Sequence, residues 1–280
     1  MTQFTLSAFA DEASPEFDRQ IAALHRKHIP LMEIRGVDGK GILDLTDEEI
    51  DVVEKKLAAG NIGISAIGSP IGKIDIETGD FAAHLEQLRH TLEVAQVLGA
   101  KRLRMFSFYI PVGKDPADYR NRVIDQVGEM LRVGEGSGVL FCHENEKGIY
   151  GDIASRCLDL HKAFPQMRGV FDPANYVQCG QETWSAWEEL NPYIDYLHIK
   201  DALADGSVVP AGKGLGNVKR ILDAYRAQGG EDVTVEPHLQ VFEGLKDLEQ
   251  DGNTSHVGGY RYPSSDAAFD AACNALKELL

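Results

Sequence analysis

The sequence predicts one α/β domain closed into a (β/α)8 TIM barrel, and three observations carry that reading. Short apolar runs alternate with helix-length amphipathic segments along all 280 residues. The alternation repeats eight times, which favours closure over an open sheet. The turn after the first strand, Ala10-Asp11-Glu12-Ala13, is not the glycine-rich phosphate loop that opens a doubly wound sheet, the rival architecture.

Phe4–Phe9 reads as the first strand. Ser14-Pro15-Glu16-Phe17 opens a helix in the order cap, proline, acid, and Ile21, Leu24 and His28 follow at helical spacing. Leu31–Ile34 is the second strand. Thr46-Asp47-Glu48-Glu49 is a capping box; its helix runs to Ala59 and Gly60 ends it. Gly63–Ile67 is the third strand, and the helix from Asp80 to Leu98 stops at Gly99. Arg102–Phe106 is the fourth strand, with Asp115 to Val133 as its helix. The fifth strand ends at Glu144 and is followed by Asp152 to Phe164; the sixth ends at Asp172 and is followed by Thr183 to Leu190. The seventh ends at His198, before a helix from Asn217 to Gln228. The eighth ends at Glu236, and Ser265 to Leu280 closes the chain. Strands this short and apolar suit a parallel sheet covered on both faces.

Residues 1–280 thus read as a single domain, with two connections longer than the usual ~2–6 residues. One is Asp201 to Gly216. The other, Leu239 to Pro263, is a long loop after strand eight, residues 239–263, that contains Phe242, His256, Tyr260, Arg261 and Tyr262 with Gly252, Gly258 and Gly259. Aromatics among glycines suit a lid over a pocket or an oligomer contact, and the sequence weighs the two equally.

Composition narrows the function classes. Hydrophobic residues make up 43% of the chain, enough for one large core. The formal charge of −16, from 44 acidic and 28 basic residues, repels nucleic acid and anionic membranes, though its ordinary meaning is solubility. No apolar stretch reaches ~18 residues, and Met1-Thr2-Gln3-Phe4-Thr5-Leu6 lacks the basic and apolar regions of a signal peptide, so a cytoplasmic location is expected. The four cysteines have no CxxC spacing and read as reduced thiols, Cys142 as a buried strand residue.

Four residues stand at strand ends: Glu144 after Val139-Leu140-Phe141-Cys142-His143, Asp172 after Gly169-Val170-Phe171, His198 after Tyr196-Leu197, and Glu236 after Val233-Thr234-Val235. They are 28, 26 and 38 residues apart, each about one strand–helix unit. In a barrel, the C-terminal strand ends form the active site. Singly, each has an ordinary reading: an acid that caps the next helix, a turn begun by Asp172-Pro173, a hydrogen-bonded histidine. Together they describe a ring of three carboxylates and one imidazole, a donor set for one divalent metal ion of the Mn, Mg, Co or Zn group.

These residues, with the strings His143-Glu144-Asn145-Glu146-Lys147, Phe171-Asp172-Pro173-Ala174-Asn175, His198-Ile199-Lys200-Asp201, Gly212-Lys213-Gly214-Leu215-Gly216 and Val235-Glu236-Pro237-His238, resemble the sugar phosphate isomerase/epimerase family of xylose isomerase-like TIM barrels over essentially the whole chain. The resemblance implies a metal-dependent isomerase or epimerase acting on a sugar, keto-sugar or polyol derivative. In that scheme Glu144 and Glu236 are both metal ligands and catalytic carboxylates: one removes the proton beside a carbonyl, the other returns a proton to the opposite face, and an enediolate lies between. Asp172 and His198 complete the metal set.

Two departures bear on substrate. Asn175 stands where many relatives carry a histidine three residues after the aspartate ligand, and it cannot exchange protons near neutral pH. Ala204 replaces an arginine found in some epimerases. The candidate substrate-binding residues are therefore Asn175, Lys200, Lys213, His143, His238 and Arg35, the last of which also has Glu33 and Asp38 within pairing reach. The alternatives are a metal-dependent lyase, of the inosose dehydratase or C-glycoside-cleaving type, then an endonuclease IV-like DNA-repair hydrolase, which the charge disfavours, and a non-catalytic binding protein. The expected partner is a small carbohydrate; nucleic acid and membrane are not expected, and a homo-oligomer or a second subunit is admitted.

Overall fold

Eight parallel strands close into a barrel at the centre of the structure, a computed structural model that describes residues 4–240, 256–257 and 259–280. The barrel strands are β1 (Thr5–Ala8), β2 (Leu31–Ile34), β3 (Gly63–Ile67), β4 (Arg102–Met105), β5 (Leu140–Glu144), β6 (Arg168–Phe171), β7 (Ile194–Ile199) and β8 (Asp232–Val235). They pair in sequence order, and β8 closes on β1 with Ala8 opposite Val235. The expected architecture is the one observed.

The helices are α1 (Phe17–Arg26), α2 (Asp47–Ala59), α3 (Phe81–Val97), α4 (Arg120–Val133), α5 (Ala154–Ala163), α6 (Pro173–Gln178), α7 (Thr183–Leu190), α8 (Val218–Ala227) and α9 (Ser265–Leu279). The capping box before α2 forms as read: Thr46 Oγ1 accepts from the Glu49 amide, and the Glu49 carboxylate accepts from the Thr46 amide. The expected Asp115–Val133 helix begins as a 3-10 turn, Pro116–Tyr119, before α4 takes over, because Asp115 caps the Ala117 amide and pulls the first turn tight.

The main difference lies at Asp172. It is the cap of α6, a short helix that the sequence reading treats as a turn. Its Oδ1 accepts the Asn175 amide at 2.9 Å, and Pro173 takes the first helical position, where a missing N–H costs nothing. The capping reading and the ligand reading of Asp172 are therefore compatible, one oxygen serving each.

Most of the core lies between the sheet and the helices. A smaller cluster of Ala66, Cys142, Val170 and Tyr196 also packs together. The four cysteines are free thiols, with Cys142 buried as expected. Among the described residues no helix is long and apolar enough to cross a membrane.

The loop after β7 forms an antiparallel pair, Asp201–Ala202 with Ser207–Val209, and Ser207–Val209 also pairs in parallel with His256–Val257. Residues 241–255 and 258 lie outside the described residues, and with them Phe242, Gly252, Gly258 and the lid and oligomer readings of this loop. Of its described aromatics, Tyr260 is exposed and Tyr262 packs against the main core.

Candidate metal centre

Strand period explains the ring. Tyr196 and His198 lie two apart on β7, as do Cys142 and Glu144 on β5, so each pair shares a side of the sheet. Glu144, Asp172, His198 and Glu236 are all at most 3% exposed, and one donor atom from each lies within 4.8 Å of the other three. His198 Nδ1 is 3.0 Å from Glu144 Oε1 and 3.4 Å from Glu236 Oε2. Two donors bound to one ion at ~2.1 Å, about 90–110° apart, would be separated by ~3.0–3.4 Å, so the donor set fits a divalent ion.

The other imidazole nitrogen, Nε2, is 3.0 Å from Glu33 Oε2, and Glu33 Oε1 accepts from the Tyr196 hydroxyl at 3.0 Å. A carboxylate behind the imidazole fixes its ring and directs Nδ1 toward the ligand set. Burial alone would depress His198, but Glu144 and Glu33 outweigh it and hold the imidazole well above its usual range. Burial raises Glu144, yet His198 and Arg104 outweigh it and the group falls below the carboxylate range. Glu236 falls further, because Lys200 and His238 together overcome its burial. At Asp172 burial wins and the group is raised.

Basic groups enclose these acids. Arg104 NH1 donates to Glu144 Oε2 at 3.1 Å and stands 3.8 Å from Glu236 Oε1, while NH2 holds the Gly68 carbonyl at 3.1 Å. Its guanidinium lies near the rings of Phe9 and Phe106. Lys200 Nζ donates to Asp172 Oδ2 at 2.6 Å and to Glu236 Oε2 at 2.5 Å. Asn175 Nδ2 braces Glu144 Oε1 at 3.3 Å and the Asn145 carbonyl at 2.9 Å.

Arg35 pairs with Asp11 and Glu12 and approaches Glu236 Oε1 to 3.5 Å, whereas Glu33 is engaged by His198 and Tyr196, and Asp38 by the Phe17 amide. His238 Nε2 is 3.4 Å from Glu12 and 3.5 Å from Glu236. Glu12, Glu236 and His238 form a second constellation of donors, but the Arg35 guanidinium already reaches two of its three members.

Asn175, Lys200, His238 and Arg35 thus meet the ligand set, and two other candidates do not. His143 turns to the opposite side of β5 from Glu144, where Nε2 lies 3.0 Å from Ser107 Oγ, as strand alternation requires. Lys213 is exposed on the glycine loop and makes no hydrogen bond or ion pair to the ligand set among the described residues. Sequence reasoning missed Glu33, Arg104, Glu12 and the pair Lys73–Glu146, whose Nζ and Oε2 are 3.0 Å apart. A signal was present, since Glu33 stands among Leu31, Met32 and Ile34 and Arg104 between Leu103 and Met105, where a charge requires a partner.

The glycine loop is a nest for an anion, and its own chain fills it. The Asp201 carboxylate accepts the amides of Ala202, Gly212, Gly214 and Gly216 at 2.7–3.0 Å. Gly214 is required here, because a Cβ would stand 2.3 Å from the Ala202 oxygen and 2.4 Å from Asp201 Oδ1. With these amides turned to Asp201, the loop is a brace and not a phosphate cradle.

The profile of the xylose isomerase-like TIM barrel family matches residues 29–250. Among curated proteins, none matches the chain. Solved structures of the same fold include an L-ribulose 3-epimerase, 19% identical, covering 100% of this chain and 95% of its own, with a TM-score of 0.74. The IOLI protein with a bound zinc atom is 15% identical, covers 100% of this chain and 98% of its own, and has a TM-score of 0.74. The probable 3-DHS dehydratase AsbF of Bacillus anthracis is 15% identical, covers 98% of both chains and has a TM-score of 0.73.

Proposed function

The chain belongs to the xylose isomerase-like TIM barrel family, and on that premise we propose that it is a divalent-metal-dependent isomerase or epimerase of a sugar, keto-sugar or polyol derivative. The observation that carries this reading is the convergence of Glu144, Asp172, His198 and Glu236, with donor atoms within 4.8 Å of one another at the C-terminal end of the barrel. The zinc atom in the IOLI structure and the L-ribulose 3-epimerase among the structural likenesses support it.

A divalent cation supplies stabilisation of the negative charge that develops beside a substrate carbonyl. The chain's own residues do the rest. Glu144 and Glu236 are the two proton-moving carboxylates, each with one oxygen facing His198 and the other facing an arginine. One takes the proton next to the carbonyl and the other returns a proton from the second side. Arg104 fixes Glu144, and Arg35 with His238 fixes Glu236, so neither carboxylate needs to reorganise as charge moves. Asn175 is a hydrogen-bonding group for a hydroxyl and takes no proton. The filled glycine loop favours a substrate without a phosphate.

A metal-dependent lyase is the second reading. It is favoured by Glu12, a carboxyl beside His238 that burial raises to about 8 and that can therefore hand a proton to a departing hydroxyl, and by the dehydratase among the structural likenesses. Incubating the metal-loaded protein with free keto-sugars and polyols in D2O, followed by NMR, separates the readings. Deuterium at the carbon beside the carbonyl with no loss of water marks the isomerase or epimerase. An unsaturated product marks the lyase. Neither outcome across such substrates, from a protein that holds metal, would sink both.

A further inference from the structure

Resting on that reading of the metal centre, we infer that Lys200 and the divalent ion are alternative occupants of one cation position, so that Lys200 is the counter-ion of the ligand set until metal displaces it. Lys200 is 4% exposed and lies two residues beyond His198. Its ammonium donates to Asp172 Oδ2 at 2.6 Å and Glu236 Oε2 at 2.5 Å. These are the oxygens a metal would use. Glu236 Oε2 is the atom 3.4 Å from His198 Nδ1, on the inner side of the set. Asp172 Oδ1 is engaged by the Asn175 amide, which leaves Oδ2 for a cation. An ion with bonds of ~2.1 Å to both oxygens would stand where the ammonium already screens them.

A buried carboxylate is costly unless it faces a cation; Glu144 and Glu236 also face arginines, whereas Asp172 pairs with Lys200. Lys200 removes that obstacle, so the ring can assemble as the barrel folds. Its chemistry suits a temporary role, because a compact ammonium on a flexible four-carbon stem can withdraw. Arg104 cannot, since it is held to the Gly68 and Ser69 carbonyls between two aromatic rings. The exchange is one cation for another: metal enters, the ammonium leaves still charged, and no covalent bond changes.

The opposite possibility is that Lys200 braces the carboxylates beside a bound ion, and the two differ in sign. Metal-stripped full-length protein is titrated with Mn2+ by calorimetry, as wild type, Lys200→Met and Lys200→Arg. Removing a charge-assisted competitor should tighten Mn2+ binding in Lys200→Met by about 10- to 100-fold. Lys200→Arg, which keeps the charge, should bind no more tightly than wild type. Metal-stripped Lys200→Met should melt lower than metal-stripped wild type and gain more from saturating Mn2+. Lys200→Gln serves if the methionine variant does not accumulate. Equal or weaker Mn2+ binding in the uncharged variants overturns the exchange while leaving the metal centre intact. Failure of wild type to bind Mn2+, Co2+, Zn2+ or Mg2+ overturns the metal centre and the exchange together.

Discussion

The two ends of the barrel carry opposite solutions to the same problem, how to finish a strand with a charge. At the N-terminal end Arg102 of β4 reaches across to Asp195 of β7 at 2.5 Å and Asp232 at the start of β8 at 2.6 Å, and its guanidinium lies 5.5 Å from the Tyr196 ring. The three side chains are 21–26% exposed, so water shares the task of solvating them. At the C-terminal end, among the described residues, the carboxyls of Glu12, Glu33, Glu144, Asp172 and Glu236 are at most 4% exposed and face the buried basic groups Arg35, Arg104, Lys200 and His198. The lower cluster is a clamp satisfied by its own residues. The upper one holds buried acid in excess, an arrangement that stability alone does not favour and that a bound cation would balance.

The largest expected effect tests the upper end as chemistry. Glu144→Gln and Glu236→Gln should each lower turnover by about 10²–10⁴-fold at equal metal content while cooperative unfolding is retained. Steady-state assays alongside metal analysis and thermal melts check this. Near-normal turnover in a metal-replete variant would reduce that residue to a ligand.

Next, Glu33→Gln should weaken metal affinity by about 10- to 100-fold, because it removes the carboxylate that orients His198. Calorimetric titration reads it, and an unchanged affinity would mean the imidazole is held by packing against Phe9 and Tyr196 alone.

At the lower end the effect should fall on folding instead. Arg102→Met leaves Asp195 and Asp232 facing each other and should cost about 1–3 kcal/mol, the value for a buried pair reduced for partial exposure. Denaturant melts measure the loss, and Mn2+ affinity should not move. A metal affinity that falls with Arg102→Met would show that the two ends are coupled through Tyr196 and Glu33.

The smallest effect is a control away from both ends. Thr46→Ala removes the capping box of α2 and should cost about 1 kcal/mol with turnover unchanged. Any loss of turnover there would show that activity follows global stability, which would blur the contrast between the ends.

Much of this was present in the sequence. The strand–helix alternation marked all eight barrel strands, and the capping box at Thr46 set the start of α2, because both depend on neighbours three or four residues away. The four ligand candidates were legible for the same reason: each ends its own apolar run, and the barrel rule brings such ends together. The helix after Asp172 was not, since Pro173 begins a turn and a short helix equally well.

What the sequence could not supply was partnership across the barrel. Glu33 meets His198 from 165 residues away, Arg104 meets Glu144 from 40, and His238 meets Glu12 from 226. Periodicity fixes which side of its own strand a residue takes. It carries no information on which opposing side chain stands within hydrogen-bond range, or that Asp201 and not a ligand would fill the glycine loop. Those outcomes depend on closure of the barrel, which places charges from distant segments in one buried volume where each must find a partner.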